Sequence, residues 1–337
     1  MLPRLVCIAL LIGCGGKYGG HSTTPNGKAK RGIEAAALPY SVLDRSGHQV
    51  DTATFWAQVG AARVVCVGED HPNPHHHWFQ LETVKHLSAH KPLALGMEMF
   101  QRPFQAVLDD FAAKRIDEAA LLSRSGYEER WSYDWGFYAP TINAAVAAGA
   151  TLLALNTPRE LTKKVVRQGL ESLTPDEKKQ LPDLVLDDKA HRAWFDDTMN
   201  EMGGAGAHTH SSQAADDKAD KDKPADKPKS EPSEAPAMPS ADQIYTAQVM
   251  WDETMADGAA KWAKSSPQGL LVLLAGNGHC HDSAIINRIK RRGVDKVISL
   301  RPVLDIEGRV SDALAKPMND YIIVLQLPPG TKPMEGE

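Results

Sequence analysis

Aromatic residues make up only 6% of these 337 residues, and there are only four cysteines. So few cysteines over that length exclude a disulfide scaffold of the small secreted kind. Nothing approaches the ~20 consecutive apolar residues that a membrane-spanning helix needs. No block of basic residues is present and the formal net charge is −5, which argues against nucleic acid as a partner. What is present excludes wholesale disorder: 42% of residues are hydrophobic, ample for a core in one large or two modest domains. The 13 histidines are the unusual component, and they cluster.

The ends read as targeting and tether. Arg4 precedes a short apolar run over residues 5–12, the pattern of a signal peptide spanning 1–13. Leu11-Ile12-Gly13-Cys14 fits a lipobox, with Cys14 acylated as the new N-terminus. Two or three acyl chains anchor a protein stably where one does not. Gly15 is not the aspartate that commonly retains lipoproteins at an inner membrane, which favours the outer membrane. Residues 14–37 read as a flexible tether. Residues 203–240 are rich in Asp, Lys and Pro with almost no apolar side chains, and read as a disordered low-complexity insertion containing His208 and His210. One folded domain remains, from 38–202 and 241–328.

Four apolar runs, at 63–67, 92–95, 151–155 and 270–274, each lead into polar residues. Runs of this kind suit buried parallel strands, and 297–300 and 321–325 supply two more. Helical patterns lie between them. Asn73 as cap and Pro74 at the first position start a helix with an apolar stripe of Trp78, Leu81, Val84 and Leu87. Residues 138–148 and 159–170 are further helices. Ile244, Gln248, Trp251, Met255, Ala259 and Trp262 recur at helical spacing as one long core-facing helix. The alternation predicts an α/β fold: a central, mostly parallel sheet flanked by helices, preceded by a small N-terminal hairpin at 40–50.

Ligands bind such sheets at the carboxyl ends of the strands, where all four polar clusters fall. Gly68-Glu69-Asp70-His71 and Gly276-Asn277-Gly278-His279 repeat one device, a glycine at a strand end and a histidine three residues on. With Glu69 and Glu98, His71 and His279 are candidate ligands for a divalent metal, or a metal-free acid and base. Successive residues on a helix point about 100° apart, so His75-His76-His77 is no three-ligand site. His76 or His77 can face the strand ends. Trp131, Tyr133, Trp135, Phe137 and Tyr138 concentrate aromatics, either as a core patch or as a flat wall for a planar ligand with a phenol for haem iron. Arg159 is placed to hold a carboxylate or propionate. Cys280 reads as a small apolar filler or a ligand.

These stretches resemble the ChaN family, the haem-binding-uptake branch of the Tiki/TraB/erythromycin-esterase-like superfamily. The matching segments are VGEDHPNPHHHWFQ (67–80), LGMEMFQRPFQAVLDD (95–110), WSYDWGFYAP (131–140), LNTPRE (155–160), AQVMWDETMA (247–256) and LLAGNGHC (273–280). One departure is His71-Pro72-Asn73, where the family usually continues His-Asp-Asn; the insertion is another.

The resemblance implies a haem-binding outer-membrane lipoprotein facing the periplasm and acting in haem and iron uptake. Haem would be held across a homodimer by a tyrosine, with Tyr127, Tyr133 or Tyr138 as candidates and His76, His77 and Arg159 close by. Outer-membrane uptake machinery is the expected partner. The wider superfamily implies the alternative, a metal-dependent hydrolase with Glu69, His71, Glu98 and His279 as its catalytic and metal cluster.

Overall fold

The computed structural model describes residues 38–90, 92–206, 239–306 and 308–327, with the backbone alone over 202–206. The signal peptide, Cys14 with its tether, and residues 207–238 of the insertion lie outside the described residues. The strands are β1 (Tyr40–Asp44), β2 (Gln49–Val50), β3 (Val64–Glu69), β4 (Leu93–Gln101), β5 (Thr151–Asn156), β6 (Leu270–Gly276), β7 (Val297–Leu304) and β8 (Tyr321–Leu325). The first helices are α1 (Thr52–Gly60), α2 (Pro74–Leu87), α3 (Gln105–Ala112), α4 (Glu118–Ser125), α5 (Tyr127–Arg130) and α6 (Trp135–Ala147). After them come α7 (Arg159–Gln168), α8 (Pro175–Lys178), α9 (Lys189–Gly206), α10 (Ala241–Ser265), α11 (Asn287–Arg291) and α12 (Arg309–Ala315).

The strands form one eight-stranded sheet in the order β2-β1-β8-β7-β3-β6-β4-β5. The hairpin β1–β2 and the β1–β8 edge are antiparallel, and the pairings from β8 to β5 are parallel. Central strands are apolar on both faces because helices cover both. Val65, Val67, Val272 and Leu274 point into one core, whereas Val64, Cys66, Leu271 and Leu273 point into the other. The chain leaves β3 toward β4 on one side and β6 toward β7 on the other. Beyond the carboxyl ends of β3 and β6 this reversal opens the crevice where such folds bind ligands.

Several local expectations shift. The strand at 92–95 does not end before Gly96: β4 continues to Gln101 and is buried throughout, so Glu98 stands inside it. Gly96 does not stop the strand because Leu155 fills the space its side chain would take. The buried stripe of α2 is Phe79, Gln80, Thr83, Val84 and Leu87, with Trp78 and Leu81 only partly covered. Partners required by a buried carboxylate, described below, rotate that helix. On α10, Trp251 and Trp262 are likewise only partly buried, and Asp252 and Glu253 take core positions.

Candidate functional site

Glu69 closes β3 and Glu98 sits on β4, while the turn after β6 carries His279 back over the strand ends through hydrogen bonds from the His279 and Cys280 amides to the Gly276 carbonyl, at 2.8 and 3.0 Å. The two glycines make the approach possible. A Cβ on Gly276 would stand 3.1 Å from His71 Cε1, and one on Gly68 would stand 2.1 Å from Asn277 Oδ1. Each Gly-x-x-His motif thus leaves room for a side chain of the other. The Asn277 amide also donates to the Glu69 carbonyl at 2.8 Å, closing the two turns on each other.

Two carboxylate–imidazole pairs result. His71 Nδ1 donates to Glu69 Oε1 at 2.6 Å; Tyr138 donates to the same oxygen at 2.9 Å, and Gln80 to Oε2 at 2.6 Å. His77 lies 3.4 Å from Glu69 Oε2 and donates from Nε2 to the His71 carbonyl at 2.7 Å. In the second pair, His279 Nε2 is 3.3 Å from Glu98 Oε1, while Glu98 Oε2 accepts from the Gly276 amide at 2.7 Å. His279 Nδ1 is 2.7 Å from Asp252 Oδ1.

Burial opposes charge on every member, and the opposite charges win. Glu69, despite its burial, is held at about 2 by the nearby imidazoles of His77 and His71. Burial would raise Glu98, but the charge of His279 and its bond keep the carboxyl below its ordinary range. His279 resists burial because Glu98 and Asp252 flank it, and it is pushed up to about 10. His71 is raised, against burial, by its bond to Glu69. At neutral pH His279 is therefore protonated, and it is an acid or an electrostatic partner, not a base.

The candidate tyrosines separate by burial. Tyr138 is enclosed and committed to Glu69. Tyr127 is 2% exposed, its hydroxyl without a hydrogen-bond partner. Burial, and then the charge of Glu69, pushes both phenols above their ordinary value. Tyr133 alone of the three is partly exposed, its ring 4.7 Å from that of His71. Trp131 packs edge-on against both rings, and Phe137 stacks on His77. The aromatic concentration is thus core for Trp131, Trp135 and Tyr138 and surface wall for Tyr133 and Phe137. Trp131, edge-on to Tyr133, also lines a small crevice with Arg130, Arg159, Lys163 and Trp251. The Arg159 guanidinium is partly exposed and donates to the Glu129 carbonyl.

His76 and His77 are both buried. His76 Nδ1 accepts from the Asp70 amide at 2.9 Å, and burial pushes its imidazole down to about 4. It is a neutral structural group facing Asp70.

The expected metal cluster finds no support. Among the described residues, no group of three or more His, Cys, Asp or Glu side chains could hold a metal ion. Glu69 is paired with His71, and Glu98 with His279. Cys280 is neither filler nor ligand; it is joined to Cys66 of β3 as a buried disulfide across 214 residues.

Sequence reasoning missed Asp252. It anchors His279 and also lies 3.0 Å from His191 Nε2 of α9. Arg288 bonds His191 Nδ1 at 3.0 Å and stands 3.3 Å from the buried Glu253, which also pairs with Arg291 and Arg292. The signal was available: Gln248 and Asp252, four apart on α10, share the face expected to be apolar.

Among the described residues no helix is long and apolar enough to cross a membrane. Over residues 55–289 the chain matches the family described as haem-binding uptake, Tiki superfamily, ChaN. The structure is similar to one described as cofacial heme binding to ChaN of Campylobacter jejuni, with a TM-score of 0.59, 15% identity, and coverage of 85% of this chain and 96% of that one. It also aligns with the type III effector HopBA1 at a TM-score of 0.41 and 11% identity, over 86% and 97% of the two chains. A curated relative, Protein RETICULATA-RELATED 5, chloroplastic, of Arabidopsis thaliana, is 28% identical over 137 residues; the match takes in 38% of this chain and only 18% of that protein.

Proposed function

Because the chain belongs to the ChaN family of haem-binding uptake proteins in the Tiki superfamily, we propose that it is a haem-binding lipoprotein of the cell envelope, acting in haem and iron uptake. The observation that carries the site is Tyr133, the one partly exposed phenol of the three candidates, with its ring against that of His71. Bound haem supplies a ferric centre that takes an oxygen ligand and a flat ring bearing two carboxylates. The residues present fit such a group. Tyr133 would hold the iron, Phe137 would extend the flat wall, and Arg159 with Arg130 and Lys163 would take the propionates. Tyr127 and Tyr138 would support the wall from the core without touching iron. The Campylobacter jejuni protein is described as binding heme cofacially, and haem bound across a homodimer here would pair two copies of this chain.

Envelope location rests on the lipobox at Cys14. The buried Cys66–Cys280 disulfide supports an oxidising compartment, since disulfides persist outside the reducing cytosol. Anchoring at the outer membrane, facing the periplasm, would place the protein beside an uptake machinery.

Hemin titration of the purified protein tests the reading. A saturable Soret band is expected, with binding weakened at least about tenfold in Tyr133→Phe, a loss of about 1.4 kcal/mol or more. An unaltered spectrum in that variant removes Tyr133 as ligand, and no saturable binding removes the function. Membrane fractionation of Cys14→Ser tests the anchor.

A hydrolytic reading has one observation in its favour, the charged His279 held between Asp252 and Glu98. Ester turnover that His279→Gln abolishes would support it.

A further inference from the structure

At the opposite end of the sheet, the loops that precede β3, β4, β6 and β7 surround a second cavity of about 510 Å³. That volume falls within the range of small-ligand sites. Its lining carries Arg63, His90, Lys264 and Lys296, with Asp295 as the one acidic residue among the lining residues. Arg63 is spent on structure: it donates to the Ala263, Ser266 and Gly269 carbonyls and so covers the negative carboxyl end of α10. The other three groups are unspent. Among the described residues, the side chains of His90, Lys264 and Lys296 have no hydrogen-bond or ion-pair partner.

Two further features indicate a shaped site. Lys296 has φ of +56°, a left-handed conformation uncommon for a residue with a side chain and typical of positions that the surroundings hold in place. Its carbonyl accepts from the Arg63 amide at 2.8 Å, which ties the loop before β7 to the loop before β3. A glycine makes room for His90 as well: a Cβ on Gly60 would meet His90 Nε2 at 3.2 Å. In a chain of net charge −5, the cavity thus gathers two unpaired lysines and an imidazole with no partner.

We propose that this cavity at the amino ends of β3, β4, β6 and β7 binds a phosphate-bearing anion, held by Lys264, Lys296 and His90. It is independent of the proposed haem site, from which β3 separates it by about 20 Å at ~3.3 Å per residue. Such chemistry is offered by a free phosphorylated small molecule or by the headgroup of an anionic lipid.

Two arms distinguish these sources, using the full chain with Cys14→Ser so that no acyl anchor contributes. Calorimetric titration with pyrophosphate should show saturable binding that falls with salt and weakens at least about tenfold in the K264E/K296E double variant. Vesicles of phosphatidylcholine containing phosphatidylglycerol, but not phosphatidylcholine alone, should sediment the protein if the lipid is the source, again with loss in the double variant. Hemin binding by that variant should be unchanged, which establishes that it is folded. Binding in neither arm, or binding that K264E/K296E retains in full, overturns the proposal.

Discussion

His279 Nδ1 lies 2.7 Å from Asp252 Oδ1, and this contact joins the strand-end crevice to a buried charged layer beneath it. Asp252 is 0% exposed and held below its ordinary value, against burial, by the charge of His279 and then by the nearby His191. The carboxylate positions His279 and keeps it protonated.

Replacing Asp252 by Asn should therefore act on both. Removing one partner of a buried ion pair costs about 3–5 kcal/mol, which urea unfolding would register. The titration of His279, followed by NMR of its imidazole, should fall from about 10 toward its ordinary 6.5. An unshifted titration would show that Glu98 alone sustains the charge.

Stability should peak in mildly acidic solution. His279 has a folded value near 10 against 6.5, so its contribution is complete below 6.5 and is lost as pH rises through 10. Glu69 behaves inversely: its value of about 2 against 4.5 gives stability that is complete above 4.5 and lost as pH falls through 2. Both are fully expressed between pH 4.5 and 6.5. Denaturant midpoints measured across pH should peak in that window, and His279→Gln should flatten the alkaline limb.

Tyr138→Phe should separate support from ligation. The variant deletes one hydrogen bond to the buried Glu69 carboxylate, a loss of about 1.5–3 kcal/mol for a bond to a charged group. The hemin spectrum should stay as in the parent protein. A lost phenolate-to-iron absorption band would instead move the ligand from Tyr133 to Tyr138.

The Cys66–Cys280 bond closes a long loop and ties the His279 turn to β3. Substituting both cysteines by Ser should lower stability by about 2–5 kcal/mol, measured by chemical unfolding. Thiol titration of the unfolded, unreduced protein should find neither cysteine free.

Composition, periodicity and motif spacing by themselves determined the parallel sheet, its N-terminal hairpin and the placement of Glu69, His71 and His279 at strand ends. Buried strands read as continuous apolar runs, and Asn73-Pro74 marks a helix start through local chemistry alone. Partner choice depended on the tertiary structure. The extension of β4 past Gly96, the burial of Tyr127 and Tyr138 against the exposure of Tyr133, and the Cys66–Cys280 pairing all depend on residues distant in the chain. Asp252 is the clearest case: on its own helix it is a polar residue on an apolar face, and only the approach of His279 and His191 from two other elements makes that position tolerable. The metal expectation finds no support among the described residues for the same reason: four such side chains brought to one crevice can face a common centre or pair with each other, and here Glu69 pairs with His71 and Glu98 with His279.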